Sequence, residues 1–241
     1  MPDEFRGKYR GKGAGKKYFI EFEKIISKAK KANKKISAMI VEPIISCGGQ
    51  IELPEKFLKK CKKILERENI LLIVDEVQTG FGRVGEKFWG FQLHDVIPDI
   101  VTLGKPMGNG HPIGAVVCTA EISKKFDNGL EFFSSFGGNP VSCRIANEVI
   151  REIDSRNLQK NALKTGKYLI SELKKLAKKY SIIGNVRGRG LFIGLELVNK
   201  NLIPEMDKAI YLVNRMKELG VLMSNDGLDK NLPVIGKPIP N

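Results

Sequence analysis

Two short segments carry residues whose types and spacing suit covalent catalysis. Asp75 lies in Ile73-Val-Asp-Glu-Val-Gln-Thr-Gly-Phe-Gly-Arg83, and Lys105 lies in Gly104-Lys-Pro-Met-Gly-Asn-Gly-His-Pro112. Each segment follows a short apolar run that reads as a buried strand. The sequence therefore sets a carboxylate and an amine at the ends of two strands, where open α/β sheets build their sites. A lysine held there can form a Schiff base with an aldehyde, and an aspartate can partner a protonated pyridine nitrogen. Together they are the minimum a protein needs for pyridoxal 5′-phosphate (PLP) chemistry.

Each residue also has a plainer reading. A carboxylate after an all-apolar strand is expensive unless it is paired, yet Asp commonly caps a helix that follows a strand. Gly80 and Gly82 come soon after and argue against a long helix there. Lys105 sits between Gly104 and Pro106, which allow close backbone approach and fix φ, but a lysine in a Gly/Pro loop is most often a surface residue. The glycines after Lys105 do not form a Walker loop, because the lysine comes first. Gly188-x-Gly190 misses the dinucleotide spacing, since the next glycine is Gly194.

The elements that must position these residues alternate between strand-like and helix-like, as in an α/β fold with a largely parallel sheet. Residues 18–34 and 54–68 read as amphipathic helices, the second with Phe57, Leu58, Cys61, Ile64 and Leu65 at helical spacing. Strands are expected at 38–41, 70–74, 100–103 and 114–118, the run at 70–74 being covered on both faces. Helices at 121–126, 140–153 and 157–180 follow. Strands at 182–186 and 190–198 and a helix at 205–219 complete a smaller α+β unit. A domain boundary is placed near residue 154, giving 1–153 as part of a large domain and 154–241 as part of a small one. Three prolines interrupt the strand-like start of Asn231–Asn241, and a helix and strand open the chain without partner strands. The chain reads as truncated at both ends.

Bulk properties narrow the classes. The 241 residues are 42% hydrophobic, enough for a substantial core. No apolar run approaches a bilayer span, and the N-terminus lacks a signal-peptide core. The net charge of +14 comes from 41 Lys+Arg against 27 Asp+Glu. The lysines recur at helical spacing opposite Leu and Ile, so they read as solvated helix faces rather than a nucleic-acid or membrane surface. The four cysteines form no C-x-x-C pair and there are two histidines, which argues against structural zinc. Scattered cysteines without a signal peptide fit a reducing, intracellular compartment, mitochondrial or cytoplasmic.

The two chemical segments, with Pro98-Asp-Ile-Val-Thr-Leu-Gly and Phe136-Gly-Gly-Asn-Pro140, resemble the signature run of class III (ornithine/GABA-type) aminotransferases of PLP fold type I. The resemblance runs from about Pro2 to about residue 232. Phe5-Arg-Gly-Lys-Tyr-Arg10, Ser46-Cys-Gly-Gly-Gln50 and Leu222-Met-Ser-Asn-Asp-Gly227 are similar to the branch that holds alanine–glyoxylate aminotransferase 2-like enzymes and ethanolamine-phosphate and phosphohydroxylysine phospho-lyases. The resemblance implies an aspartate aminotransferase-like large domain. It implies that Lys105 forms the Schiff base and shuttles the α-proton, and that Asp75 binds the pyridinium nitrogen. Val77 would pack on a ring face and Gln78 would reach the phenolic oxygen. Ser135 stands where the family has a threonine that touches the cofactor phosphate of the partner subunit in a homodimer. Glu42 matches an active-site glutamate, with a cap or salt bridge as its plainer role. The family's phosphate-binding loop and ring-stacking aromatic would precede residue 1, and its C-terminal arginine is absent after Lys230.

Three functions compete on this reading. One is a phospho-lyase removing phosphate and ammonia from an amino-alcohol phosphate. The second is an aminotransferase acting between an amino acid and a 2-oxo acid or glyoxylate. The third is an inactive fragment that only dimerises or binds a full-length relative. Cys47, Cys143 and His111 lie inside the motifs with no mechanism that needs them.

Overall fold

The computed structural model describes residues 1–227 and the backbone of residues 232–235. The N-terminal helix α1 (Ala14–Lys31) turns Tyr18, Phe19, Phe22 and Ile26 inward and its lysines outward. The chain then forms β1 (Ala38–Val41), a small hairpin of β2 (Ile44–Ile45) and β3 (Ile51–Glu52), and helix α2 (Phe57–Arg67). Strands β4 (Leu71–Asp75), β5 (Ile100–Leu103) and β6 (Ala115–Cys118) follow. The main sheet has the order β1-β4-β5-β6, with β1, β4 and β5 parallel and β6 antiparallel to β5.

The helical row on α2 explains one face of that sheet. Phe57, Leu58, Cys61, Ile64 and Leu65 are buried. Leu58, Ile64 and Leu65 share a core with Leu72 and Val74 of β4, and each buried aliphatic side chain contributes about 2 kcal/mol. Burial also pushes the Cys61 thiol up to about 12. The other face departs from expectation. Leu71 and Ile73 are not fully buried, and Ile40 and Val116, placed on their side by register, are 64% and 69% exposed. The apolar run at 70–74 is therefore covered on one face only, because the α1–α2 layer lies on the Leu72/Val74 side.

After β6 come α3 (Ala120–Phe126), α4 (Pro140–Ser155) and α5 (Leu158–Lys179). Strands β7 (Ile183–Arg189) and β8 (Phe192–Leu197), helix α6 (Met206–Glu218), and strands β9 (Ser224–Asp226) and β10 (Leu232–Ile235) complete the path. The second sheet is antiparallel with order β7-β8-β10-β9. Leu173 of α5, Val186, Ile193, Leu195, Leu197 and Ala209 of α6 form its core. The start of the proline-rich tail does make a strand, with Pro233 opposite Asn225; residues 228–231 and 236–241 lie outside the described residues. Among the described residues, no helix is long and apolar enough to cross a membrane.

Three glycines join the two sheets. A Cβ on Gly166 of α5 would meet the Gly190 carbonyl oxygen at 1.9 Å, and one on Gly190 would meet the Arg83 carbonyl oxygen at 2.2 Å. Gly85, with φ +74°, abuts the Leu163 backbone. The Leu191 amide donates to the Arg83 carbonyl at 3.0 Å. The glycines that miss a nucleotide-binding spacing thus serve close packing. Ion pairs reinforce the junction: Arg189 bridges Glu52 at 2.6 Å and Glu86 at 3.0 Å. Buried Glu196 pairs with Arg187 and with Arg6, and Arg187 also donates to the Gly49 carbonyl at 2.8 Å.

Candidate active site

The parallel register sets Asp75 opposite Thr102 at the C-terminal ends of β4 and β5. Paired residues in neighbouring strands project to the same face. Two residues past Leu103 the chain delivers Lys105, the first residue of a short 3₁₀ turn. Lys105 has φ +31°, a value a side chain adopts only when its surroundings hold it there. The surroundings are tight. The Gly108 and Asn109 amides donate to the Lys105 carbonyl at 3.1 and 3.2 Å. A Cβ on Gly108 would meet the His111 carbonyl oxygen at 2.0 Å, so only glycine closes this turn.

Other expected residues gather to different degrees. The Val77 amide donates to Asp75 Oδ1 at 2.9 Å, which fixes the carboxylate and turns the chain. Val77 Cγ2 lies 3.5 Å from where a Cβ on Gly104 would be, so it leans on the backbone just before Lys105. Gln78 and Lys105 line one open cleft of about 1220 Å³, shared with Arg83, His111 and Phe192. Burial pulls the Arg83 guanidinium down to about 10. Asp75, Val77, Glu42 and Ser135 are not among the residues that line this cleft. Glu42 accepts from the Ser46 amide at 3.1 Å and from the Ser46 hydroxyl, and Gln50 ties that loop to Asp226 at 2.9 Å. Ser135 sits in an exposed loop with Phe132, Phe133 and Phe136.

Two polar residues escaped the sequence reading. Glu76, beside Asp75, is fully buried and accepts from the Thr79 hydroxyl at 2.7 Å and the Gly90 and Phe91 amides at 2.9 and 2.7 Å. Burial pushes its carboxyl up, and those three donors oppose the shift. It organises the turn at Gly90–His94 rather than the cleft. The Thr102 hydroxyl is buried with no hydrogen-bond partner, on the face that carries Asp75. Period-two alternation from Asp75 across the register would have found it.

A family model described as Aminotransferase class-III matches residues 1–234. The chain belongs to the class III aminotransferases. An alanine–glyoxylate aminotransferase 2-like protein of Drosophila melanogaster is 44% identical over 99% of this chain and 50% of its own length. A solved phospholyase from Arthrobacter, in complex with phosphoethanolamine, is 36% identical with TM-score 0.89 over 92% of this chain and 53% of its own. A PLP-bound amine transaminase from an uncultivated Pseudomonas species is 29% identical with TM-score 0.88, over 99% of this chain and 56% of its own. The chain spans about half the length of the relatives it matches.

Class III members are PLP enzymes, and their fold, a mixed α/β type I architecture with a mostly parallel main sheet, is the one seen here. The donor set fits the cofactor. A carboxylate ends β4, a lysine sits on a strained turn just past β5, and that lysine and a side-chain amide line one cleft. The orphaned Thr102 hydroxyl marks a polar position that the protein leaves unsatisfied, a condition that costs about 1–3 kcal/mol when nothing binds.

Proposed function

We propose that this chain carries the lysine-bearing half of a PLP-dependent phospho-lyase that acts on an amino-alcohol phosphate. The observation behind the proposal is the placement of Asp75 and Lys105 at adjacent parallel strand ends, with Lys105 held at positive φ. Likeness to the phosphoethanolamine-bound Arthrobacter phospholyase supports the choice of reaction. A second reading, transfer of an amino group to a 2-oxo acid or glyoxylate, is favoured by the name of the Drosophila relative.

When bound, PLP supplies an electron sink for the electrons freed at the substrate's α-carbon. The Asp75 carboxylate would hold the proton on the pyridine nitrogen, and the Val77 amide fixes that carboxylate's orientation. Val77 would bear on the ring, and Gln78 would donate to the phenolic oxygen. The Lys105 amine would take the proton from the α-carbon and return it, as general base and then acid. The rigid Lys105–Pro112 turn limits where that amine can reach, which is worth more to the rate than side-chain freedom. Ser135 would hold the phosphate of a partner subunit's cofactor. The exposed aromatics beside it support a homodimer that covers them. Glu42, set by Ser46, would bound the substrate side. Residues 1–153 and 154–241 would be the two domain portions that meet at the glycine junction.

The deciding experiment mixes the chain with PLP and phosphoethanolamine, without any keto acid, and assays phosphate and acetaldehyde. Release of both supports the lyase; a strict need for a keto acid moves the reading to transamination. Borohydride trapping of pyridoxyl label on Lys105 tests the site apart from the substrate. If no lysine is labelled, the half-site reading fails.

A further inference from the structure

His111 lies in the Lys105 turn, and its role was unassigned. Its Nε2 makes a 2.7 Å hydrogen bond with Ser142 Oγ, joining segments 31 residues apart. Ser142 is buried in the first turn of α4. Its amide donates to Asn139 Oδ1 at 2.9 Å, which makes Asn139 the cap of that helix. The Asn139 side-chain amide in turn donates to the Phe136 carbonyl at 2.8 Å. At the other end, the His111 amide donates to the Gly108 carbonyl, and the Gly108 amide to the Lys105 carbonyl, both at 3.1 Å. An unbroken hydrogen-bonded path therefore runs from Lys105 to Phe136, the neighbour of Ser135. Gly108 keeps the first part stiff, since no Cβ fits against the His111 carbonyl.

We propose that His111 is a positioning residue that fixes the Lys105 turn relative to the Ser135 loop through Ser142 and Asn139. Its side chain bonds to Ser142 and its amide to Gly108, so this role is exercised through the backbone that carries Lys105. In the dimer reading on which this rests, the path couples one subunit's lysine to the loop that serves its partner's cofactor phosphate. Either ring tautomer suffices, because a serine hydroxyl both donates and accepts.

The test uses the full chain and four variants: His111→Leu, Ser142→Ala, the two combined, and His111→Gln, whose side-chain amide can still donate or accept. Amide hydrogen exchange is followed in residues 108–113 and 136–143, along with the PLP concentration giving half-maximal borohydride label on Lys105. Each single loss is expected to speed exchange in both segments and to raise the half-saturating PLP concentration about tenfold. The double variant should be no worse than either single, because one path is cut once. His111→Gln should bring both readouts within about threefold of the parent. Faster exchange at 108–113 with 136–143 unchanged would overturn the proposal, as would single effects that multiply in the double variant. If the parent takes no label at Lys105, the cofactor reading falls, and the exchange result alone decides the link.

Discussion

Asp75 and Glu76 are adjacent carboxylates at the end of one strand, and they live in different worlds. Asp75 is half-buried on the open face of the sheet, beside an orphaned threonine hydroxyl, with one backbone amide on it. Glu76 is sealed inside, with three donors on its two oxygens. A buried carboxylate whose acceptors are filled organises structure, whereas one left half-buried with a single donor on it has capacity for a ligand. The step of one residue along a strand, which reverses the direction of the side chain, separates the two roles.

That contrast can be broken by experiment. The largest effect is expected on the cleft side: Lys105→Ala should abolish borohydride trapping of PLP at this position and lower turnover by about 10⁴-fold or more, with the melting temperature nearly unchanged. Glu76→Ala should act oppositely. It leaves two backbone amides and the Thr79 hydroxyl unpaired inside, so urea unfolding should show a loss of about 3 kcal/mol. If Glu76→Ala unfolds no more easily than the parent, its assignment as a structural acid is wrong. Asp75→Asn should leave urea stability within about 0.5 kcal/mol but reduce turnover about a hundredfold. A stability loss as large as that of Glu76→Ala would erase the contrast.

The smallest effect concerns Cys61, inside the α2 core. Its thiol is held at about 12 against an ordinary 9.0. Its contribution to stability is full below pH 9.0 and is lost as the pH rises toward about 12, because only the unfolded thiol ionises in between. At pH 8, iodoacetamide should therefore label exposed Cys47 and Cys143 quickly and Cys61 only on unfolding. Mass mapping of the adducts reads this directly.

Much of this was legible beforehand. The α2 row and strands β1, β4, β5 and β6 follow from side-chain period, and Asp75 and Lys105 stand out because they end such strands. Burial of Glu76 was not legible, because its partners Gly90 and Phe91 are brought in by a turn that carries no strong local signal. The expectation that β4 is covered on both faces failed because an apolar run records what a strand can tolerate, while the layer over it comes from elsewhere. Gly188 and Gly190 were read only as a failed phosphate motif, since nothing local shows that α5 and the Arg83 segment close on them. His111 was visible as a residue, but its tie to Ser142 depends on where α4 begins.

The junction at Gly166, Gly190 and Arg83 has a consequence for how such a chain can drift. Lysines on the outer face of α5 can be exchanged for many residues, because water accommodates each of them. At Gly166 the nearest neighbour is a carbonyl oxygen of the backbone, which has no rotamer to change. A single added methyl there would push α5 off the β7–β8 hairpin, and no second substitution at one site could absorb it. Two positions a few residues apart on one helix thus differ sharply in tolerance: one is open to nearly any change, the other to none.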